Sequence, residues 1–165
     1  MKKYLLTTLL VAVVALSCFA QEDNRTSVGV DAGFPVGSSA NDFSFAIGGS
    51  LKIENAISDN ALITISMGYT SLSTKSTLLG ANVKPPASVY TPLKFGVKYK
   101  IAGPLFAEGQ IGAAFEIRGQ RATRFIYSPG LVCNIDKFDV GLRYENWNNT
   151  SSNIGQVALR VGLAL

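Results

Sequence analysis

Carboxylates are the side chains here that come nearest to a catalytic pattern, and their spacing argues against one. The chain has 165 residues and no histidine, so the base that small envelope hydrolases and acyltransferases commonly use is missing. Glu108 and Glu116 share one face of an extended stretch. Eight residues of strand hold them about 27 Å apart, too far to serve one reacting group. Pairing with cations is the role that fits them. The remaining carboxylates are scattered and offer no metal-ligand cluster. The glycines of 29–37 follow strand periodicity with no helix after them, unlike a phosphate loop. The sequence therefore nominates no catalytic, cofactor or metal residues, and the chain is read as not an enzyme.

Charged residues make up 16% of the chain, low against the roughly 25% of soluble domains. Of 15 basic residues two, Lys2 and Lys3, lie in a leader, leaving 13 against 11 acidic ones. They are not clustered, which speaks against nucleic acid as a partner.

Behind Lys2 and Lys3 comes an apolar run over 4–16, then Ser17-Cys18-Phe19-Ala20, then polar Gln21-Glu22-Asp23-Asn24. This is the pattern of a secretory signal peptide, residues 1–20, cut after Ala20. A rival reading lipidates Cys18, since Leu16-Ser17-Cys18 loosely follows a lipobox, with Ala15 where Leu is usual. Cleavage after Ala20 leaves Cys133 alone, so no internal disulfide is expected in an oxidising compartment. Cys133 then reads as a small apolar residue on a strand.

The remaining charges fall on alternate positions. In 43–53, Phe43, Phe45, Ile47, Gly49, Leu51 and Ile53 point one way, and Ser44, Ala46, Gly48, Ser50 and Lys52 the other. Period two is a strand with two unlike faces. The same holds in 27–36, 61–71, 88–100, 105–118, 124–135, 138–147 and 155–165. Strands of this length can cross a tilted bilayer span, whereas soluble strands average about five or six residues. The expected fold is all-β: an eight-stranded antiparallel up-and-down transmembrane β-barrel over 21–165.

A soluble lipocalin-like periplasmic carrier also alternates, with its apolar face inward. Three features favour the membrane form. The polar face is rich in Gly, Ala and Ser, which suit a narrow interior. It carries both signs of charge: Asp31, Glu108, Glu116, Asp139 and Glu145 against Lys52, Lys94, Lys98, Arg118, Arg124, Arg143 and Arg160. These twelve are the expected lumen charge network. Aromatics also gather near strand ends, with Phe43, Tyr69, Phe125, Tyr144 and Trp147 at one rim and Tyr99 and Phe138 at the other, as in interfacial girdles.

With a periplasmic N-terminus, 55–60, 102–104 and 136–137 become periplasmic turns, and 37–42, 72–87, 119–123 and 148–153 outer loops. Only 72–87 is long, with Lys75, Lys84 and Pro85-Pro86. The turn at 102–104 is expected to set Ile101 against Leu105 and Lys98 beside Glu108. A two-residue turn at 136–137 sets Gly130 opposite Arg143.

The leader ending Ala20-Gln21, the strand Val28-Gly29-Val30-Asp31-Ala32-Gly33-Phe34, the strand Tyr90-Thr91-Pro92-Leu93-Lys94-Phe95-Gly96 and the closing stretch 155–165 resemble the small outer-membrane β-barrel proteins of Bacteroidota. These are relatives in architecture of the OmpA transmembrane domain, OmpX and OmpW. The sequence departs from many such barrels in ending on Leu165 and not on an aromatic residue. The resemblance implies insertion by the barrel assembly machinery into outer-membrane lipids, as a monomer without cofactor. The functional reading is a closed, ion-paired lumen with a structural or surface-contact role. Its alternatives are an OmpW-like conduit for small hydrophobic molecules and the lipocalin-like carrier.

Overall fold

The computed structural model describes residues 24–75, 87–118, 122–150 and 152–165. The leader, Cys18, and Lys84 with Pro85-Pro86 lie outside the described residues.

The alternating stretches form β1 (Asn24–Val36), β2 (Phe43–Ser58), β3 (Ala61–Thr74), β4 (Ser88–Ala102), β5 (Leu105–Arg118), β6 (Thr123–Ile135), β7 (Phe138–Asn148) and β8 (Asn153–Ala164). Each pairs antiparallel with its neighbours in sequence, and β1 pairs with β8 to close the barrel. Closure leaves no strand edge with unpaired N–H and C=O groups.

One end is built from two-residue turns at Asp59-Asn60, Gly103-Pro104 and Asp136-Lys137. Gly103 and Asp136 both sit at φ 50°, a left-handed conformation that glycine adopts freely and aspartate tolerates better than most residues. Asn24 and Leu165 lie at this end, where the Leu165 N–H donates to the Thr26 carbonyl at 2.9 Å. The opposite end carries the longer connections. There a single helical turn, α1 (Ser39–Asp42), follows β1. Ser39 Oγ donates to the Asn153 carbonyl at 3.1 Å and accepts the Gly155 N–H at 2.9 Å, which fastens this connection to β8.

The facing decides between the two barrels considered from sequence. Val30, Phe34, Ile47, Phe95, Ile111 and Leu142 are exposed on the outside, while Lys52, Glu54, Lys98, Asp139 and Arg160 are buried within. A lipocalin-like carrier needs the reverse, so that reading is withdrawn. Along the described strands, apart from the exposed Arg118 at the loop end of β5, no charged residue holds an outward position in the register.

Several local expectations need correction. β2 runs on to Ser58, so the connection expected at 55–60 shrinks to Asp59-Asn60. A bulge between Phe43 and Phe45 reverses the phase there, and Phe43 turns inward to pack on the interior apolar cluster. Val89 and Tyr90, neighbours in sequence, are both buried, beside a shift of the β4–β5 register that pairs Val89 with Arg118 and Tyr90 with Glu116. Trp147 is no girdle residue: it is 1% exposed and inside the barrel. Lys98 does face Glu108, and Gly130 faces Arg143. Leu105, however, pairs with Ala102 and not Ile101, because a bulge between Lys100 and Ala102 absorbs one residue before the turn.

Candidate functional site

Inward positions alternate with lipid-type positions along every strand, so the strands bring distant charges into one narrow space. Three groups result, each neutral in sum. Near the tight-turn end, Glu54 on β2 lies 2.9 Å from both Lys52 Nζ and Lys98 Nζ. Lys98 also donates to Asn134 Oδ1 at 3.0 Å and sits 4.7 Å from the Phe106 ring centre. Glu108 completes this group at 3.5 Å from Lys52.

Higher in the lumen Glu145 is the hub of the second group. Its Oε1 accepts from Lys94 at 2.5 Å and Arg143 at 2.7 Å. Its Oε2 accepts from Trp147 Nε1 at 3.1 Å and Gln156 Nε2 at 2.9 Å. Arg143 reaches across to Asp31 at 2.6 Å. Ser50 links this group to the third: its Oγ donates to Asp31 at 2.5 Å and accepts from Arg160 Nε at 2.9 Å. Arg160 pairs with Asp139 and also donates to Ser27. Neutral sets are what burial demands, because an unpaired charge in this medium costs several kcal/mol.

Glycine makes the room. A Cβ on Gly162 would meet Asp139 Oδ2 at 2.6 Å, and one on Gly130 would meet the Arg143 Cβ at 2.5 Å.

Above the charges lies an apolar layer: Ala46, Leu72, Tyr90, Ala114, Ile126, Trp147 and Ile154, with Phe43 against it. Tyr90 and Trp147 meet edge to face, centroids 5.3 Å apart. Below the charges a vestibule of about 600 Å³ opens among Ala56, Ile57, Asp59, Leu62, Lys100 and Phe106. Beside Asp31, Ser66, Lys94 and Arg143 remains a void of about 20 Å³.

Nine of the twelve expected lumen residues enter these ion pairs: Asp31, Lys52, Lys94, Lys98, Glu108, Asp139, Arg143, Glu145 and Arg160. Three do not, among the described residues. Glu116 accepts the Ala122 N–H at 3.2 Å, and Arg118 is exposed. Arg124 donates to the Tyr90 phenol at 3.3 Å and the Ser152 carbonyl at 3.2 Å. Glu54 was missed because the expected strand stopped at 53; its parity with Lys52 was the available signal. The apolar layer was missed too, although Trp147 shares parity with Glu145. No group of three or more His, Cys, Asp or Glu is placed to share a metal ion among the described residues.

The fold is thus a closed eight-stranded antiparallel barrel of the outer-membrane type. The outer membrane protein Ail of Yersinia pestis in a phospholipid bilayer nanodisc matches with a TM-score of 0.62 at 18% identity, over 87% of this chain and 100% of that one. The N-terminal β-barrel domain of Pseudomonas aeruginosa OprF matches with a TM-score of 0.60 at 16% identity, over 88% and 100%. A de novo designed transmembrane β-barrel matches with a TM-score of 0.57 at 14% identity, over 88% and 98%. At these identities the likeness is one of fold. No family model matches the sequence, and no curated protein does.

Proposed function

We propose that this chain is a small outer-membrane β-barrel protein with a closed lumen, serving the cell envelope as a structural or surface-contact element and not as an enzyme. The observation that carries this reading is the facing: neutral ion-paired sets inside, and an outer wall without charge. Such a wall is stable in hydrocarbon and a liability in water. Residues 1–20 direct export and are removed. Residues 21–165 enter outer-membrane lipid as a monomer through the barrel assembly machinery. A place among the Bacteroidota barrels rests on the sequence resemblance. An OmpW-like conduit needs an open apolar path, whereas this interior holds balanced charge beneath an apolar layer.

Gel mobility of detergent-extracted protein with and without boiling tests the membrane barrel. The folded form is expected to run as a distinct, heat-modifiable band. A single heat-insensitive band, with the protein recovered in the soluble fraction, overturns the reading.

A further inference from the structure

Closure removes strand edges along the wall, but the mouth at the tight-turn end is uneven. β2 runs on to Ser58, whereas the described β1 starts at Asn24, which pairs with Asn55. Among the described residues, 56–58 therefore have no rung on their β1 side. The other neighbour of β1 gives no cover there: β8 stops at Ala164, and Leu165 reaches only Thr26. An overhanging strand offers its backbone N–H and C=O groups to a further strand. The same overhang is a wall of the open vestibule of about 600 Å³, where Ala56, Ile57 and Ser58 stand with Leu62, Lys100 and Phe106. Two cations serve this mouth. Arg25 lies opposite Glu54, on the inward face of β1, and is half-buried. Lys100 is exposed in the vestibule. Neither is ion-paired among the described residues.

Cleavage after Ala20 leaves Gln21, Glu22 and Asp23 ahead of Asn24, as many residues as β2 overhangs. We propose that in the mature chain residues 21–23 continue β1 along this overhang and close the vestibule. Extending the register from Asn24–Asn55 sets Asp23 against Ala56, on the face that Arg25 shares. Its carboxylate then enters the mouth about 7 Å along the strand from Arg25, with Lys100 as the second cation it meets. Glu22 points to the other face, away from the vestibule. The new rungs supply the docking, and an ion pair at a half-exposed site adds a smaller share. An uncut leader would run on past Ser58 with no strand beside it, so cleavage sets the length of β1. This rests on the reading that residues 1–20 are removed.

The test uses the mature chain, residues 21–165, folded in nanodiscs with Leu62→Cys in the vestibule and Cys133→Ser. The rate of labelling by a polar maleimide reads access to position 62. Deleting residues 21–23 should speed labelling about tenfold, the scale of one or two net hydrogen bonds of docking. Asp23→Lys should do the same, and Glu22→Lys should leave the rate unchanged. In a second arm without Leu62→Cys, Asp23→Cys with Ala56→Cys should oxidise to a disulfide, and Glu22→Cys with Ala56→Cys should not. Equal labelling of the mature and shortened chains, or no disulfide between positions 23 and 56, overturns the proposal and leaves the vestibule open to another occupant. Heat-modifiable mobility is read on every variant, so that loss of fold is not taken for opening. The intact mass of the exported protein tests the cleavage by itself. A chain that begins elsewhere than Gln21 also overturns the proposal, by a failure distinct from an open vestibule.

Discussion

Glu145 shows what a single lumen residue does. It neutralises Lys94 and Arg143 and also takes the indole N–H of Trp147, so one carboxylate joins the ionic and apolar layers. Glu54 has the same standing lower down, fully buried between Lys52 and Lys98. Glu54→Ala would leave Lys98 without a carboxylate partner and Lys52 with only Glu108 at 3.5 Å, both away from water. It should cost about 3–5 kcal/mol, read from denaturant unfolding in bilayers. Lys75 is exposed and donates to the Ala40 carbonyl at the loop end, so Lys75→Ala should stay within about 1 kcal/mol. Equal losses for the two would mean that the lumen is wet enough to screen its charges. Trp147→Ala removes the largest buried side chain and should cost about 3–5 kcal/mol. A loss below about 1 kcal/mol would show that the apolar layer adds little.

At the scale of the strand, the alternation assigns every position a face, and each face has its own tolerance. Ile65, Phe95 and Leu159 occupy outward positions on β3, β4 and β8. Arginine at any of them should cost about 2–4 kcal/mol near the bilayer midplane. Unchanged folding into lipid vesicles with all three replaced would mean the faces are reversed. Register is testable separately. Tyr99 faces Ala107 across the β4–β5 hairpin, so Tyr99→Cys with Ala107→Cys, in a Cys133→Ser background, should oxidise to a disulfide. The pair Ile101→Cys with Ala107→Cys should not. The opposite result would move the bulge from the stretch between Lys100 and Ala102 into the strand.

The whole molecule is a wall around a filled interior. Eight strands leave an interior about as wide as the side chains that occupy it, and here the ionic groups and the apolar layer stack along the axis. The vestibule of about 600 Å³ at the tight-turn end is lined by Phe106, whose ring lies 4.7 Å from Lys98 Nζ. Purified protein in a planar bilayer should show no steady single-channel current. Reproducible long-lived conductance from the folded monomer would replace the closed barrel by the conduit.

The eight strands, their inside and outside, and most of the lumen charges were legible in the amino-acid order, because a period of two is a local property that survives without tertiary contacts. Gly130 opposite Arg143 followed from turn length alone, whereas Lys98 meets Glu108 only because the bulge between Lys100 and Ala102 offsets a turn one residue shorter than expected. What the order could not supply was anything that depends on closure. Glu54 finds Lys98 only because β2 and β4 curve around a common axis. Glu145 can gather Lys94, Arg143, Trp147 and Gln156 only when β4, β7 and β8 face one another across it. The bulges at Phe43–Phe45 and Val89–Tyr90 shift phase by one residue, and no pattern of residue types marks such a slip in advance. Trp147 was readable by parity with Glu145, but an aromatic near a strand end suits a membrane interface as well as a lumen. Only the packed barrel, with Tyr90 edge-on against it, settled which side it faces.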